Sequence, residues 1–388
     1  MKITDVTATL LTYQIPPERQ WRTDLGVAKK TDNVIVEVET DEGITGIGCG
    51  QGHAEVLKAT VEGQLKPALL GEDPTYTERL WEKMYSGSRY QPSLDRGYSQ
   101  PGHSRRGDTL AAIAGVDIAL WDIHGKVLNQ PVYKLLGAAR DRVRAYASGG
   151  WAPGDQAETE LGGYAAKGFT AVKMRAEGRD GFSFEKSIRR IKAARRGIGP
   201  DVELMVDAHG SLDVTTAIRL AKMMEEHNVA WFEEPVSPDN HAGQAEVRRA
   251  TSVPIASGES EYTRFDYVDL FEKQAVDIIQ PDIAIAGGFT ELRRIAMLGH
   301  ARGIRFAPHV WSSGVLFAAS IHIAMSAPNC HLFEVSQGTV PLIWEMFEEP
   351  FDIRDGYVYA PNRPGLGFTL RKDLKKRFPY VPGPNYVY

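Results

Sequence analysis

Cysteine is nearly missing from this chain. Cys49 and Cys330 are the only two in 388 residues. That is too few for a disulfide framework or a cysteine-rich zinc site, and it fits a reducing, cytoplasmic setting. Long apolar runs are missing as well. None approaches the ~20 residues that a membrane helix needs, and the opening MKITDVTATLLTYQIP alternates like a strand instead of carrying the apolar stretch and cleavage site of a leader. No membrane partner is expected. Neither sign of charge dominates: 45 basic and 50 acidic residues leave a net charge of −5, which offers nucleic acid or an anionic surface nothing to bind. Low-complexity tracts and long linkers are also absent. What is present, 43% hydrophobic and 24% charged residues, is enough to bury a substantial core. The length is generous for one compact unit and comfortable for two.

Residues 1–60 read as antiparallel strands, with β-branched alternation in ITDVTATLLTY and NVIVEVETDEGITGIG and a turn signal at Asp41-Glu42-Gly43. Residues 54–97 read as helices, and Gln91–Gly107 as a polar loop. Residues 108–127 predict an amphipathic helix with Ala111, Val116, Leu120 and Ile123 on one face and Asp108 as its N-cap. From about residue 142 the pattern changes. Eight apolar runs of strand length alternate with helical stretches: RVRAYAS, AVKMR, VELMVDA, VAWFEEP, VPIASGE, VDIIQPD, IRFAPHV and CHLFEVS. Such an alternation predicts an α/β fold with a closed parallel (β/α) barrel of the TIM type. The expected division is a cap from 1 to 128, a barrel from 129 to 345, and a tail from 346 to 388 that returns to the cap.

Chemistry-bearing residues punctuate the strand runs. Asp207, Glu233 and Glu259 are 26 residues apart each time, and Asp282, His309 and Glu334 follow at 23, 27 and 25. One strand, one helix and their loops take roughly 25 residues in an eight-unit barrel, and the C-terminal strand ends carry the active sites of such barrels. The spacing therefore brings these side chains to one rim. Each carboxylate alone could merely cap the helix after its strand. Three together would raise one another's pKa unless a cation balanced them. An all-oxygen set favours Mg²⁺, with Mn²⁺ possible, over zinc or copper.

The chain resembles the mandelate racemase branch of the enolase superfamily along nearly its whole length. The resemblance is carried by AGVDIALWDIHGKVLNQPVYKLLG (114–137), VDAHG (206–210), WFEEPV (231–236), GES (258–260), QPDIAIAGG (280–288) and APHVWSSG (307–314). It implies a modified (β/α)7β barrel beneath an α+β cap built from both termini, and a homo-oligomer. By position it implies Asp207, Glu233 and Glu259 as metal ligands, with Glu233 preferred to Glu234 as the first Glu of the EEP motif. It implies Asp282 and His309 as a catalytic dyad and Glu334 as a hydrogen-bonding partner of the substrate carboxylate. Lys173 and Arg175 fall on its Lys-x-Lys motif, and the substrate-choosing cap loops fall at Ile15–Lys30, which includes Trp21, and Gly46–Ala54.

Such a set would remove the proton beside a carboxylate. Lys173 would add positive charge near the carboxylate oxygens, and Glu334 can donate a hydrogen bond only if protonated, so its pKa is expected to be raised. His309, its tautomer set by Asp282, is the expected base. Arg175 departs from the racemase pattern, because a guanidinium holds its proton and suits a clamp better than a base. His209 makes a DxH pattern resembling that of sugar-acid dehydratases and could protonate a leaving hydroxyl. Tyr146, Ser148, His53 and Trp21 are candidate substrate contacts, and Arg22, Lys29 and Lys30 would suit an acidic substrate. The expected activity is dehydration of a sugar acid or hydroxy diacid, a small-molecule carboxylate, to a 2-keto acid. A racemase or epimerase acting at the same carbon and a non-catalytic ligand-binding barrel are the alternatives.

Overall fold

All eight apolar runs become parallel strands: Arg142–Ser148, Ala171–Arg175, Glu203–Asp207, Val229–Glu233, Ile255–Ser257, Ile278–Ile279, Arg305–Phe306 and Phe333–Ser336. The computed structural model describes residues 1–23, 25–178 and 181–387, with the side chains of Arg22 and Thr23 outside the description. The first seven strands pair in chain order, and the eighth pairs in parallel with the first, from Phe333↔Ala145 to Ser336↔Ser148. Between the seventh strand and the segment leading to the eighth, the described residues form one parallel bridge, Phe306↔Cys330. Helices separate the strands. Several start on a side-chain cap that satisfies an otherwise orphan N–H: Ser183 accepts from Lys186, Asp213 from Thr216, Asn240 from Gly243, and Ser313 from Leu316. No helix among the described residues is long and apolar enough to cross a membrane.

Inside the barrel, one residue from each strand or its edge forms a single packed layer: Tyr146, Ala171, Met205, Trp231, Ala256, Ile278, Ala307 and Leu332. Side chains alternate along a strand with period two. The next inward-facing layer therefore lies two residues further on, at Ser148, Lys173, Asp207, Glu233, Gly258, Gln280, His309 and Glu334. This alternation converts apolar strand interiors into a polar mouth. It also explains why Asp207 and Glu233 stand in register on neighbouring strands, whereas Glu259 and Asp282 come from loops one and two residues beyond their layer positions.

The cap is an antiparallel sheet of Ile3–Gln14, Lys30–Thr40 and Thr45–Gly50. Its last strand, TGIGCG, puts a glycine at every second position. A Cβ at Gly46, Gly48 or Gly50 would sit 2.1, 1.9 or 2.5 Å from the carbonyl oxygens of Ala119, Gly115 and Ala111. Only bare backbone lets this strand lie flush on helix Asp108–Val127. That helix is buried on nearly every side, because Trp121 and Asp117 bond Thr290 of a barrel helix across its other flank. It is thus a core helix and not the amphipathic one expected. Its N-cap is Gly107, while Asp108 Oδ1 accepts the His53 backbone N–H. Residues Tyr90–Arg96 are helical, taking up the start of the expected loop. In the tail, Tyr357–Tyr359 pairs with the first barrel strand, and Tyr386–Val387 pairs with Gly26–Ala28 over the mouth.

Candidate active site

Lys173 stands at the centre of the mouth layer, 4% exposed. Its Nζ lies 2.5 Å from Glu233 Oε1, 3.1 Å from Glu334 Oε1 and 3.9 Å from Asp207 Oδ2. These carboxylates, Glu233 and Glu334 foremost, outweigh the burial that would lower its pKa and hold it well above the ordinary lysine value. Arg175, two residues on, places Nη1 2.7 Å from Asp207 Oδ2. Burial would raise the Asp207 pKa, but Arg175 and Lys173 bring it down to about 2. Glu233 is the opposite case. Burial, with repulsion from Asp207, Glu259 and Glu334, pushes it up to about 7 despite Lys173.

His309 Nδ1 is 2.8 Å from Asp282 Oδ2, and Asp282 Oδ1 accepts the Ala284 N–H at 2.7 Å. The fully buried aspartate thus holds the imidazole by Nδ1 and leaves Nε2 toward the cleft. Burial opposes a charge on His309, but Glu259, Asp282 and Glu334 together raise its pKa to about 10. His209 adopts φ +50°, its N–H bonds Asp207 Oδ1 at 2.8 Å, and its Nε2 is 3.6 Å from Glu259 Oε1. Glu234 at φ +35° and Ser312 at φ +93° are likewise left-handed, so three non-glycine residues in this sparsely populated region cluster after mouth strands.

Glu334 differs from expectation. Burial would raise its pKa, but Lys173, His309, Ser148 and the Val310 N–H at 2.7 Å hold it below the usual value. It is an ionised acceptor here and not a donor. Tyr146 also differs: it lies in the apolar layer beneath the mouth, its hydroxyl without a partner and its ring 5.5 Å from Lys173 Nζ. It supports the lysine from below and does not reach the cleft. His53 is exposed at a helix start, outside the cleft wall. The Arg22 side chain lies outside the described residues.

The carboxylates suit a hard cation in donor chemistry. Asp207 and Glu233 are buried, share one ammonium within 4 Å, and leave an electrostatic conflict at Glu233 that a divalent ion would relieve. Glu234 Oε1 beside them is buried without a partner. They are not drawn into a finished site: among the described residues no three Asp, Glu, His or Cys side chains are grouped closely enough to hold one ion. Lys173 and Arg175 engage the oxygens, and Trp231 Nε1 and Gln280 Nε2 take the other Glu233 oxygen at 2.9 and 2.7 Å.

Above this floor lies a cleft of about 400 Å³, whose walls include Lys173, Arg175, Asp207, His209, Glu259, His309, Glu334 and Ser148. From the cap come Trp21, as expected, and Lys30, Thr31, Asp32 and Gln51. The tail adds Asn385 and Tyr386, and the barrel loops add Trp151 and Trp311. The two barrel tryptophans and the tail residues carried no signal of their own, since nothing in their spacing relates positions 21, 151, 311 and 386.

Comparison with known proteins agrees with this fold. Residues 7–137 match the N-terminal domain of the mandelate racemase / muconate lactonizing enzyme family, and residues 156–374 match the enolase C-terminal domain-like family. The chain is 33% identical over 384 residues to arabinonate dehydratase of Saccharolobus solfataricus, covering 97% of this chain and 99% of the relative. It is 35% identical over 393 residues to D-galactarolactone cycloisomerase of Agrobacterium fabrum, covering 97% and 99%. The crystal structure of an enolase-superfamily member from Polaromonas superposes with a TM-score of 0.90 at 33% identity over the full length of both chains.

Proposed function

The chain belongs to the mandelate racemase / muconate lactonizing enzyme family of the enolase superfamily, and from that premise we propose that it is a Mg²⁺-dependent dehydratase of a sugar acid or hydroxy diacid. Members of the family generally use a divalent metal. The observation that carries the reading is the His309–Asp282 dyad facing, across one mouth, the buried carboxylates and Lys173. Asp207, Glu233 and Glu259 would hold the ion, whose contribution when bound is Lewis-acid stabilisation of negative charge on the substrate carboxylate. His309 Nε2 takes the proton from C2, with its Nδ1–H held on Asp282. Neutralising the carboxylates that raise His309 would bring it toward the range a base needs. Lys173 adds fixed positive charge beside the carboxylate oxygens. Arg175 clamps a substrate oxygen, and His209 gives a proton to the hydroxyl leaving C3. The relatives named arabinonate dehydratase and D-galactonate dehydratase support this substrate class.

A two-base racemase finds less support. Arg175 stands where the racemase pattern has its second base and retains its proton, so it does not serve as a base opposite His309. The test is incubation with Mg²⁺ and a panel of acid sugars, with 2-keto acids read by semicarbazide and C2 exchange read in D₂O. Keto acid formation supports the dehydratase. Exchange or inversion without keto acid would replace it with the racemase, and neither across the panel would leave a binding barrel.

A further inference from the structure

Ser312 holds a backbone that its residue type disfavours. Its φ of +93° lies in the left-handed range, where a Cβ is strained and glycine is at ease. Two cap residues hold it there. Asn33, from cap strand Lys30–Thr40 and 4% exposed, donates from Nδ2 to Ser312 O at 3.1 Å and to Asp32 O at 2.8 Å. Gln51, just past cap strand Thr45–Gly50, accepts the Ser312 hydroxyl at Oε1, 3.2 Å away. The Gln51 backbone N–H is tied in turn to Ala284 O at 3.2 Å, in the loop after Asp282. The cap therefore grips both the backbone and the side chain of one strained residue, three positions after His309.

Glycine at this position would relieve the strain but would lack the hydroxyl, which makes the hydroxyl the feature to explain. Ser312 and Gln51 both line the cleft. With Ser312 donating to Gln51, the pair keeps a hydroxyl oxygen that accepts and an amide nitrogen that donates. That nitrogen has no partner among the described residues and sits on a half-buried side chain. Turning the amide over would exchange the two roles and leave one donor and one acceptor as before. A hydroxyl answers both, since it gives a proton and accepts one. A carboxylate has no proton to give. An apolar chain would cover both groups and leave them without water or partner.

We propose that Ser312 and Gln51 together read one chain hydroxyl of the substrate, held ready by the strained backbone at Ser312. The pair selects polyhydroxy acids over 2-hydroxy acids with a bare chain. This rests on the acid-sugar reading above and deepens it, because neither residue takes part in the metal or proton chemistry.

The test is calorimetry on the Mg²⁺-loaded protein, with His309→Asn as the common background so that no bound acid is consumed. The ligands are D-gluconate and its aldonate stereoisomers, and 2-hydroxyhexanoate, which keeps the carboxylate and C2 hydroxyl of the same chain and lacks the other hydroxyls. The tightest aldonate should bind at least ~5-fold more tightly than 2-hydroxyhexanoate. Ser312→Gly, Ser312→Ala and Gln51→Leu should each weaken that aldonate by about 5–10-fold and 2-hydroxyhexanoate by under about twofold. Ser312→Gly should melt no lower than its parent, since glycine takes this backbone without strain, so its loss of affinity reports the hydroxyl and not the fold. Ser312→Gly combined with Gln51→Leu should lose little beyond either alone, because one substrate hydroxyl loses its pair only once. Unchanged aldonate affinity in Ser312→Gly, equal losses for both ligand types, additive losses in the double variant, or no binding of any aldonate overturns the proposal. Variant-sensitive aldonate binding, with no 2-keto acid from any sugar acid in the unmodified protein, removes the dehydratase and leaves the pair standing. Keto acid formed with a KM that neither substitution moves does the reverse.

Discussion

Replacing Lys173 with Met keeps the stem and removes the charge. In the metal-free protein the ammonium lies within 4 Å of Glu233, Glu334 and Asp207, all of them buried at the floor of the cleft. Asp207 retains Arg175, Glu233 retains Trp231 and Gln280, and Glu334 retains the Val310 N–H. The loss is therefore of charge balance more than of hydrogen bonds. Removing one partner from a buried ion pair costs about 3–5 kcal/mol. At ~2.1 cal/mol/K of unfolding entropy per residue, that is a fall of roughly 4–6 °C in Tm for a chain of this length. The sign with pH follows from Glu233. Its folded pKa is raised, so the stability tied to its protonated form is lost as pH rises through about 7, and the variant's deficit should be larger at pH 8.5 than at pH 6. Mg²⁺ should restore more to the variant than to the wild type, where the ion must first displace Lys173 from Glu233. Differential scanning calorimetry of both proteins, with and without 10-fold excess Mg²⁺, reads all three effects. A variant that melts with the wild type, or a larger Mg²⁺ shift in the wild type, would refute the electrostatic account of the mouth.

Three other outcomes are expected. His309→Asn should keep Mn²⁺ affinity, measured by titration, while turnover to 2-keto acid falls by about 10²–10⁴-fold; undiminished turnover would take His309 out of the mechanism. His322 is buried, accepts the Tyr133 N–H at Nδ1, donates from Nε2 to Leu366 O, and is pushed down to about 4. Because the neutral form is the folded one, stability present above pH 6.5 is lost as pH falls toward 4. At pH 5 urea unfolding should show about 2 kcal/mol of this loss, absent in His322→Gln. Chelation by EDTA should abolish turnover and added Mg²⁺ should return it, whereas turnover that survives exhaustive chelation would exclude the ion from the reaction.

Much of the mouth was legible because a barrel spends one residue per strand on each layer. The 26-residue spacing of Asp207 and Glu233 and the placement of His309 and Glu334 follow from that repeat. Depth within a strand was not legible in the same way. Tyr146 and Ser148 share a face, yet only the second reaches the rim, because a strand's end and not its alternation decides which layer is open. The ionisation of Glu334 was misjudged because it was inferred from a donor role toward substrate, whereas the approach of Lys173 to 3.1 Å, which depends on the neighbouring strand, holds its pKa down. The tryptophans of the cleft were legible only in part for a topological reason: Trp21 was expected from its cap loop, but Trp151 and Trp311 come from two distant loops that only the finished fold brings to it.

The central claim is that Asp207, Glu233 and Glu259 gather on one ion beneath the cleft. Crystals grown with Mn²⁺ and measured near the manganese absorption edge test it most directly. The account predicts one anomalous peak bonded to an oxygen from each of these three residues, with Lys173 moved off Glu233. A peak bonded to Glu234 in place of Glu233, or no peak within the mouth at all, would contradict it.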